Sequence, residues 1–253
     1  MHRTASLRFL AVLAASLALV SSAAAKATEN FSQTYPFEAN GAVSLSNING
    51  DVEIVAWDKN EISVVAEKIA SDEAGLKRMQ IVIEHSPAHL VIKTEYEKKW
   101  KFWGNYRAEV RYKLMVPAGV TLEKIDVVNS DVTVRGVRGF VNLDSVNGTI
   151  EAEGLTAGGR FDTVNGSIRA AFDKISASDK IVLDTVNGSC SLTLPANAAF
   201  DLNADSVNGS ISCDYPIKIG RSGRRHLTGS VNGGGANIVL DSVNGGLRIR
   251  AAK

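Results

Sequence analysis

The chain repeats the unit Val146-Asn147-Gly148 as Val164-Asn165-Gly166 and again as Val186-Asn187-Gly188. From Asn129 onward the repeated asparagines follow one another at intervals of 18, 18, 22, 21, 24 and 12 residues. A period of this size is typical of one solenoid coil, which buries its inner face only by stacking on its neighbours. We predict a structural turn at each repeated asparagine, namely Asn49, Asn129, Asn147, Asn165, Asn187, Asn208, Asn232 and Asn244.

Aligning the copies on this asparagine shows which neighbouring positions are apolar. The third and fifth residues after it are apolar in most copies, as Ile150 and Ala152 are, with a mostly polar residue between them. This alternation predicts a strand with one buried face. Upstream, apolar residues stand four and one positions before the asparagine, like Leu143 and Val146. Because these two are three apart, we expect the strand to bend at the intervening Ser or Thr so that both face inward.

Two folds are compatible with the repeat. An Asn-Gly pair between alternating segments favours a type I′ hairpin, and therefore an antiparallel hairpin meander. A parallel β-solenoid explains better why the columns are alike, because stacked asparagines can join a side-chain ladder with a step of ~4.8 Å. We therefore predict an all-β fold, a parallel β-solenoid of short coils, and keep the meander as the alternative.

The chain divides into three segments. Residues 1–25 are predicted to be a signal peptide, residues 26–120 an N-terminal coil with a non-repetitive β segment, and residues 121–253 the Val-Asn-Gly repeat solenoid. Within the second segment we predict a helix over Asp72–Met79, and strands over Gln80–His85, His89–Tyr96 and Ala108–Val116. The non-repetitive part is expected to form a flanking sheet or a lateral insertion.

The first segment predicts export. Arg3 and Arg8 precede the apolar run Phe9 to Val20, which is shorter than the ~20 residues of a membrane-spanning helix, and small residues follow it. We expect a periplasmic or extracellular protein without a lipid anchor, since no cysteine follows the apolar run, and without a transmembrane segment. Removing the leader leaves 26 basic and 27 acidic residues. This balance gives no general attraction to nucleic acid.

The order of these motifs resembles a known family. An opening Val43-Ser44-Leu45-Ser46-Asn47-Ile48-Asn49-Gly50-Asp51-Val52-Glu53-Ile54 is followed by Ala56-Trp57-Asp58, by Tyr112-Lys113-Leu114-Met115-Val116-Pro117-Ala118-Gly119-Val120, and by tandem Val-Asn-Gly coils. Over about residues 31 to 250 this is similar to the bacterial putative-adhesin domain family, exported β-helical domains of unknown biochemical function. The resemblance implies a β-solenoid in the cell envelope and supplies no catalytic residues.

An acidic column accompanies the repeat. Six copies carry an aspartate three residues before the asparagine: Asp126, Asp144, Asp162, Asp184, Asp205 and Asp241. Stacked carboxylates repel one another by about 1 kcal/mol per pair in water. We expect each to accept backbone N–H groups at the turn. A ladder of hard cations such as Ca²⁺ is the weaker alternative, because the Gly-rich nonapeptide of calcium-binding β-rolls is missing.

The aromatic and basic segment between the predicted strands is the candidate ligand-binding site. Such side chains suit stacking on sugars and cation–π contacts, although capping of an open coil end is the structural alternative. Its residues are Lys99, Trp100, Lys101, Phe102, Trp103, Tyr106 and Arg107.

Three further groups have structural explanations. Arg221 to His226 form a second basic cluster, expected to be a solvated loop. His85 and His89 lie on either side of Pro87 in predicted strands, which is unsuited to a helical zinc site. If the coils stack in chain order, the Cα atoms of Cys190 and Cys213 lie about 8 Å apart, so two thiols are favoured over a disulfide.

The sequence therefore predicts an exported cell-envelope binding or scaffold module. It needs no cofactor, is not an enzyme, and binds an envelope component, either glycan or protein. The alternative is a lyase or hydrolase acting on polysaccharides, which needs clustered acids in a groove.

Overall fold

The computed structural model of the protein describes residues 26–97 and 108–252. The N-terminal segment contains β1 (Ala27–Pro36), β2 (Ala42–Asn49), β3 (Val52–Trp57), β4 (Glu61–Ala70), α1 (Glu73–Lys77), β5 (Met79–His85), β6 (His89–Tyr96) and β7 (Ala108–Pro117). The repeat segment contains β8 (Thr121–Asn129), β9 (Val132–Arg135), β10 (Val141–Asn147), β11 (Ile150–Leu155), β12 (Gly159–Asn165), β13 (Ile168–Phe172), β14 (Lys180–Asn187), β15 (Cys190–Leu194), β16 (Phe200–Ser206), β17 (Ile211–Cys213), β18 (Lys218–Gly223), β19 (His226–Val231), β20 (Ala236–Asn244) and β21 (Leu247–Ala251).

These strands form two long sheets, and each coil gives one strand to each. Sheet 1 has the order β1-β4-β7-β3-β9-β11-β13-β15-β21-β17, and sheet 2 the order β18-β19-β16-β20-β14-β12-β10-β8-β2-β6-β5. The central strands of both sheets are parallel, and antiparallel pairs occur only toward the ends. This confirms the parallel β-solenoid and excludes the hairpin meander for the repeat.

The predicted columns are the core between the sheets. In sheet 2, Leu143 lies beside Ile125 and Phe161 in register, and all three are fully buried. In sheet 1, Ile150 lies beside Val132 and Ile168. Identical positions of successive coils therefore pack on one another, so the core is one continuous column of aliphatic and aromatic side chains.

The non-repetitive segment closes one end of the stack. β4 pairs antiparallel with β1 and β7 to extend sheet 1, while β5 and β6 form a hairpin that extends sheet 2. The predicted strands are present. The helix is shorter than predicted, Glu73–Lys77, with Asp72 as its N-cap accepting a 2.7 Å hydrogen bond from Gly75 N. In the part of the chain that the structure describes, no helix is long and apolar enough to cross a membrane.

The coils do not stack in chain order. The last coil, β20 and β21, lies between the coil of β14 and β15 and the coil of β16 and β17. Leu247 is consequently the neighbour of Cys190, and Ile249 is the neighbour of Cys213. The assumption that the two cysteines lie in adjacent coils is therefore wrong. Both thiols are free, as expected. The reason differs from the expected one, because a whole coil lies between the two cysteines.

The predicted bend before the asparagine is also wrong. The strand alternates regularly: Leu143 points inward, Asp144 outward, Ser145 inward and Val146 outward. In five copies the Ser or Thr is buried, and its hydroxyl has a partner in a neighbouring coil. Thr185 Oγ1, for example, donates to Gly166 O at 3.0 Å. Equivalent bonds run from Ser145, Thr163, Ser206 and Ser242 to backbone carbonyls.

The repeated glycine is required by close packing between coils. The glycines of the Val-Asn-Gly copies from Gly148 to Gly209, and Gly245, are not among the residues with positive φ. A Cβ added to Gly166 would instead overlap the carbonyl oxygen of Gly148, and one added to Gly188 would overlap that of Gly166. The glycine column thus allows the corners to stack at strand spacing.

We predict that Gly166→Ala lowers the free energy of unfolding by about 3 kcal/mol, because the added methyl forces two coils apart. Urea unfolding followed by circular dichroism measures the change. Gly223→Ala is the control, since nothing lies within 4 Å of its added Cβ. Equal destabilisation of the two variants would show that coil spacing is not what selects glycine.

Candidate binding groove

The six aspartates form one outward-facing column on sheet 2. Strand register places them in the order Asp126, Asp144, Asp162, Asp184, Asp241 and Asp205. Successive carboxylates are therefore one strand spacing apart, ~4.8 Å. The predicted turn role is wrong: in residues 26–97 and 108–252, no backbone N–H donates to these six. That role belongs instead to Asp51 and Asp131, whose carboxylates accept from Asp131 N and Thr149 N.

Cations compensate only part of this column. The guanidinium of Arg160 contacts both carboxylate oxygens of Asp162: Nε lies 2.6 Å from Oδ2, and Nη2 donates to Oδ1 at 3.0 Å. Lys124 lies 3.1 Å from Asp126, and His226 Nδ1 lies 2.5 Å from Asp205. Within the described residues, the remaining three carboxylates have no cation within salt-bridge distance: Asp144, Asp184 and Asp241. Two of these three, Asp184 and Asp241, are direct neighbours.

The crowded column makes ionisation harder. Burial, opposed by Arg160 and reinforced by the neighbouring carboxylates, raises the pKa of Asp162 to about 6. Burial first, and then the charge of Asp126, raises the pKa of Asp144. The pKa of Asp241 is raised by burial and by its neighbours Asp184 and Asp205. An added cation would relieve this repulsion, so the column favours a positively charged ligand.

An apolar stripe runs beside the acidic column. In seven stacked coils the Val or Ile directly before the repeated asparagine points outward, whereas Val231, before Asn232, is buried in the core. In stack order the stripe is Ile48, Val128, Val146, Val164, Val186, Val243 and Val207. Six of the seven are exposed, from 39% for Val186 to 56% for Val207, and Val128 is half-buried. A continuous line of exposed apolar side chains marks a surface for association.

The acidic column and the apolar stripe enclose a groove. Its main part, about 820 Å³, extends from Ser46, Asn47 and Ile48 to Asp184 and Val186. A further 220 Å³ follows beside Asp241 and Asp205. The buried Ser and Thr side chains form its floor. We call this surface the acidic groove.

A ladder of asparagines borders the stripe. Asn165 Nδ2 donates to Asn147 Oδ1 at 2.8 Å, and Asn187 Nδ2 donates to Asn165 Oδ1 at 2.9 Å. The same bond links seven of the eight predicted residues in the order Asn208, Asn244, Asn187, Asn165, Asn147, Asn129 and Asn49. The eighth, Asn232, lies in a separate turn with φ of 51° and donates to Ala198 O. The ladder fixes the corner and leaves the groove as the accessible surface.

Asn47 is an unusual buried amide at one end of the groove. It is 3% exposed, and its Nδ2 donates to the carbonyls of Asn49, Gly50 and Val110. Its Oδ1 has no hydrogen-bond donor in the part of the chain that the structure describes. A buried acceptor without a donor costs about 1–3 kcal/mol.

The structure places none of the other described candidate residues in this groove. Lys99, Trp100, Lys101, Phe102, Trp103, Tyr106 and Arg107 lie outside the described residues. The basic cluster from Arg221 lies on the exposed hairpin of β18 and β19. His85 is in contact with the ring of Tyr35, and no group of three or more metal-ligating side chains is found in the described ranges. The sequence pattern identified the aspartates but missed the groove, because the valines were assigned to the core.

We predict that Asp162→Asn raises Tm at pH 7.5 and that the gain is almost lost near pH 3. Because the folded-state pKa of Asp162 is about 6, above its ordinary value of 3.8, the folded state binds the proton more tightly. Ionisation of Asp162 therefore destabilises the fold: the cost is complete above the folded-state pKa, shrinks as the pH falls, and disappears only below the unfolded-state pKa. Thermal unfolding at both pH values measures the effect.

Glu151→Gln, which removes one carboxylate from sheet 1, is the control for a change in net charge. A Tm gain from Asp162→Asn that is no larger than the control, or that persists undiminished at pH 3, would contradict the raised pKa of Asp162.

Comparisons with known proteins agree with this architecture. The family model described as Toastrack DUF4097 matches residues 40–250. No curated protein is a match. Among solved structures, a putative cell adhesion protein from Clostridium sporogenes is similar over 89% of this chain and 100% of its own, with 10% identity and a TM-score of 0.42. A putative adhesin from Bacteroides fragilis is similar over 87% of this chain and 97% of its own, with 11% identity and a TM-score of 0.42.

The family match spans the N-terminal cap as well as the repeat coils. The chain belongs to the Toastrack DUF4097 family.

Proposed function

We propose that the chain is an exported, non-catalytic binding or scaffold module of the cell envelope, and that the acidic groove is its binding surface. Export by residues 1–25, and a mature chain with a cap up to residue 120 and a repeat array to residue 253, are parts of this proposal. The partner is an envelope component that carries positive charge beside apolar surface. The aromatic segment around Trp100 and Trp103 remains a proposed second contact.

The apolar stripe is the observation that carries the proposal. Outward positions of a solenoid strand are free to be polar, as Glu151 and Arg169 are on sheet 1. On sheet 2 the same kind of position is Val or Ile in seven stacked coils. Packing does not require these side chains, because their inward neighbours already fill the core. A partner that covers the stripe gains about 25 cal/mol per Å² of apolar surface removed from water.

A second function is favoured by one specific observation. Asp144 and Asp162 lie one strand spacing apart, close to the separation of about 5 Å in retaining glycosidases, and the pKa of Asp162 is about 6. A polysaccharide hydrolase would use such a pair as nucleophile and general acid. The same spacing separates every neighbouring pair of carboxylates in the column, so the spacing alone does not single out one pair as a reaction centre. Release of reducing ends from envelope polysaccharides, abolished by Asp162→Asn, would establish this alternative.

Binding to an array of envelope components tests the proposed function. The array should contain glycans, murein, lipid vesicles and envelope proteins. The groove variant combines Val164→Thr, Val186→Thr and Val243→Thr, which keep the β-branched shape and remove apolar surface. We expect it to bind the partner at least about tenfold more weakly than the wild type, because three apolar contacts are lost.

Val65→Thr is the matched control, because Val65 is 42% exposed on sheet 1, away from the groove. Trp100→Ala with Trp103→Ala tests the aromatic segment separately. No binding by the wild type, or a loss confined to the tryptophan variant, would contradict the proposal for the groove.

A further inference from the structure

Two features of the acidic groove call for the same ligand chemistry. Its acidic column contains two adjacent carboxylates without a cation in salt-bridge distance among the described residues, Asp184 and Asp241. Its apolar stripe lies two residues away along each strand, at ~6.7 Å. A ligand that matches both is cationic and has an alkyl backbone.

The dimensions of the groove define the shape of that ligand. From Asn47 on β2 to Asp184 on β14 there are four strand steps, or ~19 Å. The columns stay in register from β2 to β14, so the groove crosses successive strands at equivalent positions. A compact ion would contact only one or two carboxylates and no part of the stripe. A linear chain lying across the strands would contact both columns along its length.

The distance between successive carboxylates of the column indicates which kind of linear cation fits. Two amino groups joined by three methylenes are ~5 Å apart when extended, from bond lengths of about 1.5 Å. This matches the ~4.8 Å between successive carboxylates. An extended peptide presents alternate side chains every ~6.7 Å, which does not match. The match favours a small polyamine over a basic peptide strand.

We propose that the acidic groove binds a linear polyamine, with its ammonium groups along the aspartate column and its methylenes on the Val/Ile stripe. This rests on the proposed function of the groove as the binding surface. Asp184 and Asp241 take the strongest ammonium contacts, because Lys124 and Arg160 already neutralise parts of the remaining column and His226 occupies Asp205. Val186 and Val243 lie beside them and cover the methylenes.

Calorimetric titration of the purified chain with norspermidine tests the proposal. The ionic strength should be about 0.15 M, where screening over ~8 Å suppresses nonspecific attraction. We expect saturable binding, and a Tm that rises with norspermidine concentration because the ligand binds the folded state. Spermidine, which has the same charge but one four-methylene spacer, should bind several-fold more weakly. Mg²⁺ and hexamminecobalt(III) lack methylenes and should bind more weakly still.

Two variant pairs separate the site from general charge effects. Asp184→Asn with Asp241→Asn should weaken norspermidine binding at least tenfold. Glu151→Gln with Glu153→Gln removes two carboxylates from sheet 1 and should leave the affinity within about twofold. Val186→Thr with Val243→Thr should remove most of the preference for norspermidine over hexamminecobalt(III). Urea midpoints show that each variant is folded.

The proposal is overturned if norspermidine does not bind, if both carboxylate pairs weaken it equally, or if Mg²⁺ or hexamminecobalt(III) binds as tightly. Tighter binding of pentalysine than of norspermidine would identify a basic peptide as the ligand and would also overturn it. If polyamine binding fails while the Val→Thr groove variant still loses its envelope partner, only the ligand identity is wrong. If polyamine binding holds while that variant keeps its partner, the proposed function is wrong.

Discussion

The structure depends on one constraint, the stacking of equivalent backbone positions at the spacing of a parallel sheet. A short coil has no core of its own, so each inward side chain must be covered by its counterparts in the coils on either side. The corner meets this constraint through glycine, which lets the carbonyl of one coil approach the next, and through asparagine, whose amide bonds to the next amide. Six consecutive side-chain bonds link seven asparagines, all donated in one direction. Such chains of hydrogen bonds polarise and strengthen one another.

The same constraint produces the surface that we assign to binding. When every coil copies the last, an outward residue is repeated as a column whether or not the fold needs it. Like charges are then stacked, and they add to the burial that raises the pKa of Asp162 to about 6. Nothing in the packing demands aspartate or valine at these positions. Their repetition in stacked coils is therefore better explained by a linear ligand than by stability, because a linear ligand can use every step of the column.

Much of the fold follows from the sequence, because the columns are visible in one chain. The repeat period, the inward positions such as Ile150 and Ala152, and the cap strands β5, β6 and β7 are predicted from the sequence, whereas β1 and β4 are not. The direction of Val146 is not, because local polarity suggests that valine is buried and serine is not. What reverses the two is a hydrogen bond from the serine hydroxyl to a carbonyl in another coil. The stacking order of the coils cannot be predicted from the sequence either, because coils with equivalent columns can pack on one another in any order. The groove depends on both of these non-local facts, so the aspartates could be found but not their surroundings.

The most direct test of coil stacking is the connectivity of the asparagine ladder in solution. Through-hydrogen-bond scalar couplings between side-chain amides, measured by NMR on labelled protein, identify which asparagine donates to which. Stacking with the last coil inserted predicts couplings from Asn244 to Asn187 and from Asn208 to Asn244. A direct coupling between Asn208 and Asn187, or side-chain amides that exchange as fast as free ones, would contradict the account.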